Sequence, residues 1–206
     1  MPYRALFFDL GNVLVPFDLR LAYGALEAAS PLSIAEMSAR LRASSLASDY
    51  ECGRLEDLGF FEAIRELLQL CCAYEEFRDI WNSIFLPPTL VPETLLAALR
   101  ERYTLLLLSN TNAMHFRFLA QHYPHIRHFH HLMLSHEAGV QKPDASIYLR
   151  ALATADVEPG EVFFTDDLQT NIDAARALGI DAEQFVGLPE LKAQLRARGI
   201  ADGDGS

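Results

Sequence analysis

Cysteine is scarce: Cys52, Cys71 and Cys72 are the only three, and their spacing suits neither a metal-binding set nor a disulfide framework. The adjacent Cys71 and Cys72 fall in an apolar helical run and are expected as core or half-buried thiols. No apolar run approaches the ~18 residues that a membrane-spanning helix requires. A strand pattern begins within a few residues of Met1 and leaves no room for a signal peptide, so a cytoplasmic protein with no membrane partner is the expectation. Positive charge is also in short supply. With 17 Lys and Arg against 28 Asp and Glu, the formal net charge is −11, and such a field repels a phosphate backbone and argues against a nucleic-acid partner. A small anionic metabolite stays open, because a local cationic pocket can outweigh a diffuse field. Internal repeats and low-complexity segments are absent. The 206 residues, 50% of them apolar, suffice for a real core in one or two domains, as a monomer or homodimer.

What is present centres on Ala5-Leu6-Phe7-Phe8-Asp9-Leu10-Gly11-Asn12. The apolar run reads as a strand buried on both faces, as in parallel α/β sheets. Asp9 then stands at its carboxyl end, where open α/β sheets place their ligands. A partly desolvated carboxylate is costly there unless a cation meets it. After Pro16 the pattern turns helical. Helices are expected over 19–29, from the capping box Ser33-Ile34-Ala35-Glu36 to about 46, over 56–70 and over 74–85. Trp81 and Phe77 are expected in the core of this group. Leu86-Pro87-Pro88-Thr89 marks the way back.

From Pro92 onward strands and helices alternate, which implies a parallel sheet with crossover helices. Strands are expected over 103–108, 132–135, 161–165 and 184–186, with helices over 93–102, 112–121, 144–154, 188–198 and from a cap at Thr170 to Leu178. The fold class is therefore α/β, a doubly wound, Rossmann-like parallel sheet. Residues 1–15 and 92–206 form the core, and 16–91 an all-helical insert over its active edge.

The strand ends carry Asp9, Ser109-Asn110 and Asp166-Asp167, with Lys142 in the loop after the strand at 132–135. One parallel sheet brings them all to one edge. Three carboxylates held together repel and need a divalent cation or a Lys to neutralise them. Oxygen-only ligands select a hard cation, Mg²⁺ before Zn²⁺. Lys142, the Ser109 hydroxyl and backbone N–H groups at a helix start would hold an anion such as phosphate.

These residues resemble the motifs of the haloacid dehalogenase (HAD) superfamily. Its motif I nucleophile, motif II Ser or Thr, motif III Lys and motif IV acidic pair match Asp9, Ser109, Lys142 and Asp166-Asp167 in order. The insert falls where that family places a helical cap. Asp9-Leu10-Gly11-Asn12-Val13, Ser109-Asn110-Thr111-Asn112, Lys142-Pro143 and Asp166-Asp167 with Asn171 look like the bacterial glucose-1-phosphatase-type branch. The resemblance implies an Mg²⁺-dependent phosphatase acting on a small phosphorylated metabolite, a sugar phosphate above others, through an aspartyl-phosphate on Asp9. It implies Ser109, Asn110 and Lys142 at the phosphate, and a metal held by Asp9, the Gly11 carbonyl, Asp167 directly and Asp166 through a water. It places Asn171 behind Lys142 or the acidic pair. One departure counts: phosphatases of the superfamily carry a second Asp at the position of Gly11, as general acid and base. If strand alternation persists past Asp9, an Asp at 11 would share its face, and without one, esters with easily expelled leaving groups are favoured. A metal-free haloacid dehalogenase or a non-catalytic phospholigand-binding member are the alternatives.

All seven histidines lie between His115 and His136. They read as a solvated surface cluster, with adventitious metal capture as the alternative. Asp18 and Arg20 face either solvent or the active site from the first linker.

Overall fold

The structure is a computed structural model and describes residues 3–200. The opening run forms β1 (Ala5–Phe8), buried at every residue, and Asp9 is the first residue beyond it. The chain then builds α1 (Leu19–Leu26), α2 (Ile34–Ala43), α3 (Leu46–Glu51), α4 (Asp57–Leu68) and α5 (Tyr74–Asn82). It returns through α6 (Glu93–Arg100) to β2 (Thr104–Ser109), α7 (Ala113–His122), β3 (His131–Leu134) and the single turn α8 (Ser135–Ala138). Then follow α9 (Ala145–Ala155), β4 (Val162–Asp166), α10 (Gln169–Ala177), β5 (Asp181–Gln184) and α11 (Leu188–Ala197). The five strands make one parallel sheet in the order β3-β2-β1-β4-β5. Phe8 of β1 lies opposite Leu107 of β2 and Thr165 of β4. That register brings Asp9, Asn110 and the Asp166-Asp167 pair out at the same edge.

Side chains alternate across the sheet, which explains why these strands read as unbroken apolar runs. Leu6, Phe8, Leu105, Leu107 and Phe163 pack on one face with Leu95, Leu96 and Leu99 of α6 and Leu191 and Leu195 of α11. Ala5, Phe7, Leu106, Leu108 and Phe164 pack on the other with Ile147, Tyr148 and Ala151 of α9 and Ile172 and Ala175 of α10. No helix among the described residues is long and apolar enough to cross a membrane.

The helices α1 to α5 gather their own apolar cluster around Met37, Tyr50, Phe60, Phe77 and Trp81, so Trp81 and Phe77 are core residues as expected. The outgoing and returning segments run side by side: Phe17 bridges to Phe85, Asp18 N donates to Ile84 O at 2.9 Å, and Leu86 N donates to Pro16 O at 2.9 Å.

Three expectations need correction. The helix from the Ser33 capping box stops at Ala43, because Ser44 turns to extended backbone and its hydroxyl donates to Leu41 O at 2.8 Å, the local side-chain bonding by which Ser competes with helix. α3 then starts afresh, so the group has five helices instead of four. Thr170 is not a cap: α10 begins at Gln169, and Leu168 N donates to Asp166 Oδ1 at 2.9 Å. The last strand is Asp181–Gln184, not 184–186, and Val186 is exposed. Its acidic residues disguise an edge strand, and Arg198 meets them, with Nε on Asp181 Oδ2 at 2.6 Å and Nη2 on Glu183 Oε1 at 3.0 Å.

Candidate active site

At the carboxyl edge of the sheet, Lys142 lies fully buried between two carboxylates. Its Nζ is 2.8 Å from Asp9 Oδ1 and 2.6 Å from Asp166 Oδ2, and it donates to Leu108 O at 2.8 Å. The loop that carries Lys142 is held by Asn110, whose Nδ2 donates to Lys142 O at 2.9 Å and whose Oδ1 accepts from Lys142 N at 2.8 Å. The Asn110 side chain, expected at a phosphate, is thus committed to Lys142, and any hold on an anion would be through its backbone. Asn171, one turn into α10, donates Nδ2 to both oxygens of Asp166 at 2.9 and 3.1 Å. Of the two partners the sequence suggested for Asn171, the acidic pair is the one it touches.

Carboxylate oxygens of Asp9, Asp166 and Asp167 lie within 4.8 Å of one another. Burial pushes the Asp9 carboxyl up to about 7; Lys142 opposes this, while Asp166 adds to it. Burial works to strip Lys142 of its proton, but Asp9 and Asp166 outweigh it and its pKa is raised. Asp167 is half-buried, also pushed up by burial, and its Oδ2 accepts from Asn12 Nδ2 at 3.3 Å. One ammonium against three carboxylates leaves negative charge that a hard divalent cation would balance. The donor set is all oxygen, which fits Mg²⁺. Among the described residues this is the one cluster of three such side chains close enough to share an ion.

Beyond Asp9 the strand alternation stops. Residues 11–15 form a turn in which Asn12 adopts φ +53° and its N–H donates to Val15 O at 2.9 Å. Asn tolerates this left-handed backbone better than most residues. Its side chain joins two parts of the site, since Asn12 Oδ1 accepts from Phe17 N at 3.3 Å while Nδ2 reaches Asp167. Gly11 itself needs no positive φ. Phe17 covers it: a Cβ at position 11 would lie 2.7 Å from the Phe17 ring. The place that strand alternation offered for a second Asp is therefore occupied by an aromatic ring.

A cavity of about 160 Å³ is lined by Leu10 and Gly11, which follow Asp9 directly, by Ser109 and Asn110 at the end of β2, and by Phe17, Glu51 and Phe85 of the helical insert. His115 also lines it. The solvated-cluster reading fails for this residue and for His125, both buried. His115 stacks on Trp81 with ring centroids 5.7 Å apart, and burial holds it at about 4, so it is neutral. Asp18 and Arg20 do not reach the cavity. They pair with each other at 2.7 Å on the surface, where Asp18 caps α1. Cys71 and Cys72, placed by the sequence in an apolar helical run as core or half-buried thiols, lie instead between α4 and α5; Cys71 is exposed, whereas Cys72, like Cys52, is buried.

Glu51 is the cavity residue that sequence reasoning missed. A lone Glu at a helix end among polar neighbours carries no motif. Asn12 and Phe17 were missed too, although Gly-Asn after a buried strand is a legible turn signal.

The chain matches the haloacid dehalogenase-like hydrolases over residues 3–179. It is 28% identical over 186 residues to D-ribitol-5-phosphate phosphatase of Bacteroides thetaiotaomicron, a match covering 86% of this chain and 89% of that one. An HAD family enzyme of the same organism, crystallised with magnesium and inorganic phosphate, superposes with a TM-score of 0.78 at 26% identity, over 88% of this chain and 93% of that one. An L-2-haloacid dehalogenase superposes less well, with a TM-score of 0.61 at 26% identity, over 87% and 83%. The family match spans the strands that carry Asp9, Ser109 and Asp166 as well as the Lys142 loop, and this chain is accordingly a hydrolase of the haloacid dehalogenase-like family.

Proposed function

We propose that this hydrolase is an Mg²⁺-dependent phosphatase of a small phosphorylated metabolite, a sugar or sugar-alcohol phosphate, and that residues 16–91 act as its cap. The observation that carries the reading is the meeting of Asp9, Asp166 and Asp167 with a single buried Lys142. A dehalogenase that expels halide without a metal has no use for the uncompensated charge. The D-ribitol-5-phosphate phosphatase of B. thetaiotaomicron supports the substrate class, and the small cavity suits a metabolite.

Asp9 is the nucleophile: one of its oxygens attacks phosphorus and the ester oxygen leaves, giving an aspartyl-phosphate that water then hydrolyses. Lys142 holds Asp9 and Asp166 apart from each other and offers its positive charge to the phosphoryl oxygens. Ser109, at the end of β2 in the cavity wall, donates to a phosphoryl oxygen. Asp9, Asp167 and the Gly11 carbonyl would hold the metal, with Asp166 behind a water, since its oxygens already accept from Lys142, Asn171 and Leu168. Bound Mg²⁺ neutralises charge on the phosphoryl group. Asn171 and the Asn110 side chain position these groups.

The test is phosphate release from a panel of sugar, sugar-alcohol and nucleoside phosphates, with Mg²⁺ and with chelator. Turnover of sugar or sugar-alcohol phosphates that needs Mg²⁺ and disappears in the near-isosteric Asp9→Asn is the expected result. Haloacid turnover in chelator, with none on any ester, would overturn the reading.

A further inference from the structure

We propose that Glu51, at the end of α3, is the general acid and base of this site, supplying from the helical insert the carboxyl that position 11 lacks. The proposal rests on the phosphatase reading above and names the group that protonates the leaving oxygen.

Three observations carry it. First, position 11 carries no carboxyl and is crowded, since a Cβ there would lie 2.7 Å from the Phe17 ring. Second, only two of the side chains lining the cavity are acids or bases, Glu51 and His115. His115 is engaged at both nitrogens, with Nε2 3.0 Å from Trp81 O and Nδ1 3.1 Å from Asn112 Nδ2, so it has no proton to offer a substrate. Among the described residues no hydrogen bond or ion pair ties up the Glu51 side chain, and it is the one acid left.

Third, the segment around Glu51 is fastened to the core residue by residue. Tyr50 OH accepts from Met114 N of α7 at 3.3 Å and donates to Asp57 Oδ1 at 2.8 Å. Cys52 Sγ meets Gln141 Oε1, next to Lys142, at 3.5 Å. Gly53, at φ +66°, packs so closely on α8 that a Cβ would come within 2.1 Å of His136 O. With residues 50, 52 and 53 all docked, Glu51 is held at the cavity wall as a fixed group, as proton transfer demands.

The chemistry balances. As an Asp9 oxygen bonds to phosphorus and the ester P–O bond breaks, the Glu51 carboxyl passes its proton to the departing alkoxide. The Glu51 carboxylate then takes a proton from the water that attacks the aspartyl-phosphate, the bond from phosphorus to Asp9 breaks, and phosphate leaves with both carboxyls restored. Burial pushes Glu51 up to about 7, which suits a group that gives and takes a proton near neutrality. The ionisable groups on the neighbouring elements are Asp57 of α4, tied to Tyr50, Tyr74 and Arg117; His136 and Glu137 of α8; and His115 of α7. Burial is the cause of the Glu51 shift, and none of these groups contributes to it.

The experiment compares kcat/KM for an alkyl and an aryl phosphate with Mg²⁺ in wild type, Glu51→Gln and Glu51→Asp. Glu51→Gln should lose ~10²–10⁴-fold on the alkyl ester, the usual worth of a general acid, and no more than a few-fold on the aryl ester, whose leaving group needs little help. Glu51→Asp should recover part of the loss. Carbon-13 NMR of Glu-labelled protein should show one carboxyl titrating near 7 that disappears in Glu51→Gln. Equal losses on both esters would mean that Glu51 binds substrate or supports the fold, and would overturn the proposal. So would a Glu51 carboxyl that titrates like a free one. In the wild type alone, a series of esters whose rates fall steeply with leaving-group basicity would overturn it independently of how the variants fold. A wild type that releases no phosphate from any ester would refute the phosphatase reading itself, and the Glu51 role with it.

Discussion

Replacing Glu51 by Gln should make the protein more stable above neutrality and leave it unchanged in acid. Burial raises the carboxyl from its ordinary 4.5 to about 7. The folded protein therefore holds this proton more tightly than the unfolded chain does. The stability that this contributes is fully present below pH 4.5 and is lost as pH rises through 7. At about 1.4 kcal/mol per unit the shift corresponds to about 3 kcal/mol. Glu51 is half-buried and keeps some contact with water, so about 2 kcal/mol is the figure expected in practice. Gln has the shape of the neutral acid and carries no such burden. The assay is urea unfolding of both proteins in chelator from pH 4.5 to 8.5, taking the difference between them. Asp9 is also raised to about 7, but it is present in both proteins and cancels. Glu51→Gln should match wild type near pH 4.5 and exceed it by about 2 kcal/mol at pH 8.5, or about 4–8 °C in Tm for a chain of this size. Parallel curves, or a wild type that gains on the variant as pH rises, would refute the burial argument.

Lys142→Ala should cost ~10²–10³ in rate and about 3–5 kcal/mol in stability, because it strands Asp9 and Asp166 without their shared ammonium; kinetics and urea unfolding check it, and a few-fold rate effect would place Lys142 away from the phosphoryl group. Gly11→Asp should fail to add an acid and instead lower Tm, since the new side chain must displace Phe17; a stable variant with improved alkyl phosphate turnover would contradict this. Gly53→Ala should weaken the docking of α3, because the position combines positive φ with no room for a Cβ against His136 O. A loss of alkyl phosphate turnover that exceeds the loss on aryl phosphate is its expected signature.

The core of the fold was legible because buried parallel strands announce themselves as apolar runs. β1, β2 and β4 each did so, and each handed its next polar residue to the carboxyl edge. Asp9, Ser109, Lys142 and the acidic pair followed from that rule together with the motif order. β5 was misplaced because an edge strand tolerates Asp181 and Glu183 when Arg198 lies across them, and that pairing joins residues far apart in the chain. His115 looked like one of a surface group because its burial depends on Trp81 and Phe85, brought from the helical insert.

Composition and local pattern thus determined the α/β class, the helical insert and the place of Asp9, since each depends on periodicity or on residues within one element. The surroundings of those residues were decided by tertiary structure. Gly11 reads from the chain as a missing acid; in the fold it is the space a phenylalanine fills. Glu51 carries no signal in the chain, and it becomes a half-buried acid only because Tyr50, Cys52 and Gly53 dock on a part of the chain more than sixty residues away. Desolvation arises from what packs around a group, and no stretch of sequence carries that by itself.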